Sequence, residues 1–217
     1  MSGRLDCALA ARDMSNEDFE LLDQWRSGDR LAGSRLLERH VDSLFRFFHN
    51  KAGASADDLV QDTLLACLEN QDKFERRSHF RTYLFGVARF QLYAHYRKQR
   101  RDGVVLDFNT ITAFELGASP SVLAAEHSEQ RVLLEALRHI SLEHQVVLEL
   151  CYWEDLTAPE LAEILNLDTA AVYSRVRRAK QQLKLQLDRL ITDPKHLAPT
   201  KTDLARWAAL LRVEIRK

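Results

Sequence analysis

Residues that interrupt helices or cross-link a fold are scarce in this chain. Its 217 residues include seven glycines, four prolines and three cysteines. So few turn-forming residues favour helices over many short strands. Cys7, Cys67 and Cys151 are odd in number and form no CxxC pair, which disfavours a disulfide framework or a zinc site and fits a reducing cytosol. We expect no metal and no cofactor.

Long apolar runs are absent as well. No stretch approaches the roughly 20 apolar residues that a membrane-spanning helix needs. The first residues, MSGRLDCALAARD, have too short an apolar core for a signal peptide. The sequence therefore predicts a cytoplasmic protein with no membrane span, and residues 1–14 are predicted to be disordered.

Charge of one sign is missing from each of two adjoining stretches. The segment from Arg76 to Arg101 contains eight Arg and Lys residues and no Asp or Glu, whereas residues 102–130 contain no Lys or Arg. The net charge of −1 conceals this segregation. Aromatic residues lie among the arginines of the basic segment. This mixture suits DNA that is both gripped and opened, because guanidinium groups bind phosphates and aromatic faces accept unstacked bases.

The loop before the basic helix is the best candidate for a base pocket, because a loop can present side chains on both sides of a flipped base. Its candidate residues are Phe74, Arg76, Arg77, His79 and Phe80. The basic helix itself, from about Phe80 to Arg101, must also serve the core. A solvated helix end is the alternative interpretation of its last basic residues.

An acidic helix precedes that loop. A helix from Asn16 to about Ser27 and an amphipathic helix closed by Gly53 come first, and a capping box of Ser55 with Asp58 then begins the acidic helix. Its predicted core stripe consists of Leu59, Val60, Leu64, Leu65 and Leu68. Its predicted outer face consists of Asp57, Asp58, Gln61 and Asp62. That face serves either solubility, with charges that complement the helix dipole, or docking to a basic partner.

Residues 102–127 are predicted to be a flexible acidic linker between two small helical domains, 15–101 and 128–190. Glycines and Pro120 interrupt this segment, and about 25 structureless residues inside one compact domain would be unusual. The acidic charge has two explanations, which are plain solvation and imitation of nucleic acid in a basic channel.

The domain 128–190 contains a helix-turn-helix pattern. Thr157 and Glu160 form a capping box for a short helix that ends at Asn166, and Asp168 caps the basic helix that follows. The candidate positions for contact with duplex DNA are Thr169, Tyr173, Ser174, Arg177 and Arg178. In a helical hairpin that does not bind DNA, the same positions would be solvated surface.

The predicted fold class is all-α, with two small helical domains joined by a flexible acidic linker and a helix-turn-helix in the second. Pro194 and Pro199 mark a break after it. Residues 191–217 are predicted to be a C-terminal helical extension, which either packs back onto a domain or docks on another protein.

Three stretches occur in an order and spacing that resemble a known family. They are ADDLVQDT at 56–63, FRTYLFGVARFQLYAHYRKQRR at 80–101 and LTAPELAEILNLDTAAVYSRVRRAKQQL at 156–183. The set resembles the extracytoplasmic-function sigma factors of bacterial RNA polymerase, from about Phe19 to Leu190. The resemblance implies a binding protein rather than an enzyme, which joins core RNA polymerase and directs promoter recognition, DNA melting and transcription initiation.

The resemblance also implies roles for individual residues. The acidic face would dock on the clamp helices of the largest polymerase subunit, and the 72–80 loop would capture a flipped base of the downstream (−10) promoter element. The residues placed where the family meets the melting duplex are Arg81, Tyr83, Arg89 and Arg97. The helix from Asp168 resembles the reader of the upstream (−35) element. The linker is similar to the segment threaded through the polymerase channel.

Two residues depart from the family pattern. Ser55 stands where an acidic residue is usual, and Tyr173 stands where a basic residue is common. Thr63 follows Asp62 on the predicted outer face, where a phosphate would add roughly −1.5 to −2 charges and restore binding to a basic partner. A plain surface or packing threonine is the alternative. Control by an anti-sigma factor or by a Ser/Thr kinase is left open.

Two rival functions are not excluded by these patterns. A helix-turn-helix repressor or activator with an N-terminal sensing domain would bind duplex operator as a dimer, without polymerase. A metal-dependent enzyme of all-helical fold would need a ligand pair such as HExxH or ExxH, and neither occurs in the sequence.

Overall fold

The structure, a computed structural model, describes residues 16–71, 74–76, 78–99, 106–117 and 128–190. These ranges contain eight α-helices and no β-strand, which confirms the predicted all-α fold class. The helices are α1 (16–26), α2 (Arg30–Ala52), α3 (Ala56–Glu69), α4 (Phe80–Gln99), α5 (Ser128–Arg138), α6 (Leu142–Tyr152), α7 (Ala158–Leu165) and α8 (Thr169–Leu190). None of them combines the length and apolar character needed to cross a membrane. The predictions for residues 1–14 and 191–217 fall outside the described residues.

Local capping chemistry sets the ends of the helices. Thr157 and Glu160 form the predicted capping box at the start of α7, and Asn166 ends that helix in the left-handed conformation, with φ 53°. The Asp168 side chain accepts a hydrogen bond from the backbone N–H three residues on, at 2.7 Å. The capping box predicted at Ser55 is wrong. Its side chain makes no capping hydrogen bond, because a 3-10 turn leads directly into α3.

The first half of the chain (16–99) packs α1 to α4 together. Phe48 and Phe85 are fully buried at its centre. A second cluster forms where α1 lies against α2. There the Trp25 ring packs directly against Gly33. A side chain at position 33 would leave no room for the ring, because its Cβ would lie 2.7 Å from the ring atoms. This half presents α3 and α4, the two helices that carry most of the predicted sites.

The second half (128–190) packs α5, α7 and α8 around α6. Leu142, Val146, Val147 and Leu150 of α6 are all fully buried. A helix that is apolar on several sides is a central helix, since it cannot leave one face in water. The arrangement leaves the outer surface of α8 exposed.

The two halves share one continuous apolar cluster, and α7 packs against α4. The described part of the linker, 106–117, lies in the same cluster through Phe108 and Ala113. It also accepts two backbone hydrogen bonds from the start of α6, including Glu143 N to Phe108 O at 3.0 Å. The linker was predicted to be flexible, but its described residues, 106–117, are packed against the helices.

Candidate nucleic-acid and polymerase interface

The acidic face predicted on α3 is present. Its four residues are all exposed: Asp57, Asp58, Gln61 and Asp62. The face continues as apolar surface, because Leu65 and Leu68 are 56% and 49% exposed. The prediction that these leucines belong to the core is wrong. His95 of α4 lies beside the face, where burial lowers the pKa of its imidazole and Asp58 and Asp62 act to raise it.

Thr63 does not lie on that face. Its side chain is fully buried, and its hydroxyl donates a hydrogen bond to the backbone O of Leu59 at 2.7 Å. The prediction that it shares the outer face with Asp62 is wrong, because successive helical residues are rotated by about 100°. Thr63 instead continues the inner stripe from Leu59 to Cys67. Burial raises the pKa of the Cys67 thiol to about 12.

The aromatic residues of the loop before α4 lie in the core. Phe74 and Phe80 are 5% and 2% exposed, and their ring centroids are 5.9 Å apart in the cluster that contains Trp25. Both were predicted to grip a flipped base. In this structure they form no open base pocket, because they fill the space beside α1 and α2.

The polar residues of the loop are the accessible ones. His79 and Arg76 are exposed, and Arg76 forms an ion pair with Asp23. Arg26, which the sequence did not single out, ties the loop to α1 by donating to the backbone O of Phe74 at 2.6 Å. The prediction for Arg77 falls outside the described residues.

The basic side of α4 faces the second half of the chain. Arg81 forms an ion pair with Glu154, and Arg89 donates to the Glu143 carboxylate at 2.5 Å. Tyr83 is half-buried, and burial raises the pKa of its hydroxyl. The predicted arginines are therefore present on one helix, but two of them are already paired.

The linker covers the next turns of α4. The Phe108 ring stacks on Tyr93, with 4.1 Å between centroids and 15° between planes. The guanidinium of Arg97, which is otherwise exposed, lies 5.4 Å from the centre of the same ring. The side of α4 predicted to meet the melting duplex thus contacts the protein's own linker and second half.

The predicted helix-turn-helix consists of α7, a turn at 166–168 and α8. The positions predicted to contact upstream duplex are all exposed: Thr169, Tyr173, Ser174, Arg177 and Arg178. The buried stripe of α8 begins at Val172 and continues through Ala179. Arg175 of the same helix instead turns inward and donates to Glu143 at 2.8 Å.

The acidic residues that join the two halves were not predicted from the sequence. Glu149 pairs with Lys51 in the core. Burial lowers the pKa of the lysine and raises that of the glutamate. Glu154 lies 3.3 Å from Arg46 as well as pairing with Arg81. The only sequence signal was Glu149 itself, which stands in the apolar run VVLELCY where a solvated carboxylate is not expected.

Comparison with known proteins identifies both halves. Residues 36–102 match the family Sigma-70 region 2, and residues 130–183 match Sigma-70, region 4. The ECF RNA polymerase sigma factor EcfG of Rhodopseudomonas palustris (strain TIE-1) is 33% identical over 149 residues, which cover 68% of this chain and 80% of the relative. The RNA polymerase sigma factor HrpL of Pseudomonas syringae pv. syringae is 30% identical over 162 residues, covering 72% and 88%.

Solved structures share the fold. The sigma factor RpoE in complex with the anti-sigma factor NepR, from Bartonella quintana, is similar with a TM-score of 0.56 and 25% identity, over 71% of this chain and 96% of that one. CnrH, solved with the cytosolic domain of CnrY, has a TM-score of 0.58 and 24% identity, over 80% and 98%. The chain therefore belongs to the ECF sigma factors, which bind core RNA polymerase and promoter DNA to direct transcription initiation and are not enzymes.

Proposed function

We propose that the three binding functions of this sigma factor lie on three helices. The acidic face of α3 docks on core RNA polymerase, α8 contacts the upstream promoter element, and α4 with its preceding loop holds the opened downstream element. One observation carries this division: the α3 face and the start of α8 are both exposed, and they belong to different halves of the chain. A shared polymerase can therefore engage one surface while duplex DNA engages the other.

Electrostatics support docking through α3. The carboxylates of Asp57, Asp58 and Asp62 project from its first two turns, where the helix dipole favours negative charge. A basic partner surface would be attracted to them, and the attraction would weaken as salt is added. The exposed Leu65 and Leu68 extend the same face and supply the apolar contact that stable interfaces need at their centre.

The position of α8 supports the upstream contact. In a helix-turn-helix, the first residues of the second helix enter the major groove and contact base edges. Ser174 and Arg177 project from this part of α8, and Arg178 adds a second guanidinium one residue on. Tyr173 offers a ring and a hydroxyl instead of the usual charge, so we expect a different preference at the base that it meets.

The downstream contact is supported by the chemistry of the side chains on α4. It is not supported by the exposure of those side chains in this structure. Stacking of an unpaired base on an aromatic ring contributes ~1–3 kcal/mol and offsets the cost of unstacking, and arginines hold the backbone beside it. Arg81 and Arg89 now hold carboxylates of the second half, and Arg97 lies over Phe108. These arginines must release their present partners before they can contact DNA.

We propose that the chain acts in the cytoplasm. We also propose two ways in which its activity is regulated. RpoE was solved with an anti-sigma factor, and a similar partner here would cover the docking or promoter surfaces. Alternatively, a Ser/Thr kinase would phosphorylate Thr63 and compensate for the uncharged Ser55. Because the Thr63 hydroxyl is buried, α3 must leave the core before a kinase can reach it.

Run-off transcription tests the proposed function. The chain is purified from its own cells, so that any native modification is kept, and is mixed with core polymerase and a pool of genomic promoter fragments. We expect transcripts that require both proteins. Failure to co-elute with the polymerase and to start RNA synthesis on any fragment would overturn the proposal. A gel shift of duplex fragments without polymerase is the companion assay, because strong dimeric binding there would point to a repressor.

A further inference from the structure

One face of α3 is left open by the rest of the described chain. Its first two turns carry the exposed carboxylates of Asp57, Asp58 and Asp62, and its later turns carry Leu65 and Leu68, which are 56% and 49% exposed. Two leucines three residues apart on a helix are surface neighbours, and an exposed apolar patch with a polar rim often marks a site of protein contact. A partner for this face would be basic at one end and apolar at the other.

The segment 201–217, which lies outside the described residues, has this complementary character in its sequence. It contains five basic and two acidic residues. The apolar stripe of its predicted helix consists of Leu204, Trp207, Leu211 and Ile215. At about 100° per residue, Arg212 and Arg216 flank that stripe on one side, and the two acidic residues lie on the other. The segment thus offers an apolar stripe with a basic edge.

The spacing of these groups matches that of the α3 face when the two helices run in opposite directions. Asp58 and Leu68 are about 15 Å apart along α3, and Trp207 and Arg216 are about 14 Å apart along the predicted helix. An antiparallel segment therefore places its arginines at the acidic start of α3 and its indole ring over the exposed leucines. Buried aromatic anchors contribute most of the energy of such contacts, and charge pairs fix their orientation.

The tether between α8 and this segment is long enough to reach α3. The helix α8 ends at Leu190 and packs on α5, where Leu183 lines a small apolar cavity together with two leucines of α5. In turn, α5 lies against the end of α2, where Asn50 donates to the backbone O of Leu134 at 3.5 Å. The start of α3 follows after a short turn. Three helix-to-helix steps of about 8–10 Å cover about 30 Å, whereas residues 191–203 can span about 40 Å.

We propose that the segment 201–217 binds the outer face of α3, so that the chain supplies its own occupant for this surface. The inference rests on the proposed docking of α3 on core polymerase, because the segment and the polymerase then need the same side chains and compete for them. A short tether gives an effective concentration in the millimolar range. A contact with a dissociation constant of about 0.1 mM is then occupied in most chains and weakens polymerase binding about tenfold.

Disulfide trapping tests the contact itself. The full chain carries Leu68→Cys with Trp207→Cys, together with Cys7→Ser and Cys151→Ser. Cys67 can stay, because burial raises the pKa of its thiol to about 12 and keeps it unreactive. Under mild oxidation we expect a disulfide within one chain, identified by mass spectrometry of the peptides that it joins.

The matched control is Leu185→Cys with Trp207→Cys in the same background. Leu185 is 59% exposed and lies on α8, the helix from whose end the tether starts. A segment without a fixed site, or one packed on its own half, would react with this position at least as well, so an equal yield in the control would overturn the proposal. A disulfide between two chains would also overturn it, since the occupant would then be a second copy. Absence of any disulfide at position 68 would have the same meaning.

Polymerase binding tests the competition. Leu204→Ser with Leu211→Ser removes the apolar stripe, keeps the net charge and lies outside the described helices. Fluorescence anisotropy of the labelled chain with purified core polymerase should show an affinity about tenfold tighter than that of the wild type. Ala205→Ser with Ala209→Ser, which lies off the stripe, should leave the affinity unchanged.

Equal affinities for these three chains would overturn the proposal, because the segment and the polymerase would then not share a surface. Equal tightening by both variants would overturn it as well, since the stripe would not matter. If no chain binds the polymerase, wild type included, the proposed function fails, and disulfide trapping still decides whether the segment occupies α3.

Discussion

Lys51 at the end of α2 and Glu149 in the middle of α6 form an ion pair inside the protein, at 0% and 2% exposure. The pair joins the two halves at a point that water does not reach. Gln145 also donates to the Glu149 carboxylate, at 2.8 Å. Because both charges are desolvated, neither can lose its partner without a large penalty.

Removal of one partner should therefore cost more than removal of both. We expect Lys51→Met to lower the free energy of unfolding by about 3–5 kcal/mol, or to split the transition in two as the halves part first. The double variant Lys51→Met with Glu149→Met should recover most of that loss. Urea unfolding measures both. Glu17→Gln is the control, because its pair with Arg39 is exposed and should contribute less than about 1 kcal/mol. Equal costs for the single and double variants would contradict this account.

The acidic face of α3 should govern affinity for core polymerase. Asp58→Asn with Asp62→Asn should weaken binding roughly 2- to 30-fold, since each exposed charge pair contributes about 0.2–1 kcal/mol. The loss should shrink as salt is added. Fluorescence anisotropy of labelled chain with purified core measures it. Glu20→Gln with Glu38→Gln removes the same charge from exposed positions of α1 and α2. An equal effect of that control would show that only net charge matters.

The first turns of α8 should set affinity for upstream duplex. Arg177→Ala and Arg178→Ala should each weaken promoter binding, and a residue that contacts phosphate should reduce the salt slope by about 1. Holoenzyme binding to a fragment selected by run-off transcription, measured over a salt series, gives both quantities. Arg189→Ala, in the last turn of the same helix, should leave the slope unchanged. If it changes the slope as much, the assignment of the contact to the start of α8 is wrong.

The burial of Thr63 predicts a clear stability effect. Thr63→Glu should lower the free energy of unfolding by about 3 kcal/mol or more, because it places a charge at a position that is fully buried. Thr63→Val should cost far less, since it keeps the shape and loses only the hydrogen bond to Leu59. Asp62→Glu, on the exposed side, should be neutral. A fully stable Thr63→Glu chain would show that α3 accommodates a charge at this position and would remove the steric objection to phosphorylation.

Alanine substitution at two glycines should change the free energy of unfolding in opposite directions. Gly86→Ala in α4 should stabilise the chain by about 0.5–1 kcal/mol, since a Cβ there meets no atom within 4 Å and glycine loses more backbone freedom on folding. Gly33→Ala should destabilise it by about 1–3 kcal/mol, because the added carbon would lie 2.7 Å from the Trp25 ring. Urea unfolding of the two variants checks the packing of α1 on α2. A stable Gly33→Ala chain would contradict that packing.

Features decided by local chemistry could be predicted from the sequence. The capping box at Thr157 and the left-handed conformation of Asn166 each depend on residues within one turn. These two features allowed the helix-turn-helix to be predicted. The face of α3 was harder to predict, because leucines are usually buried whereas Leu65 and Leu68 of this helix are exposed. Leu65 points outward, whereas Thr63, with its hydroxyl bonded to Leu59, points inward.

Features decided by tertiary contacts could not be predicted. Nothing near Glu154 in the sequence indicates that its partners are Arg46 and Arg81, which are 108 and 73 residues away. Phe108 lies in a segment without periodicity, so its stacking on Tyr93 left no pattern to detect. The arginines of α4 were correctly placed on one helix, but their partners in this structure come from distant parts of the chain.

The contrast between the exposed α8 and the covered α4 has a consequence for the search along a chromosome. A cell contains abundant messenger RNA and replicating single strands, and an uncovered aromatic and basic groove would adsorb to all of them. In this structure Arg81 and Arg89 pair with carboxylates and Phe108 stacks on Tyr93, which leaves fewer groups of α4 for such single strands to contact.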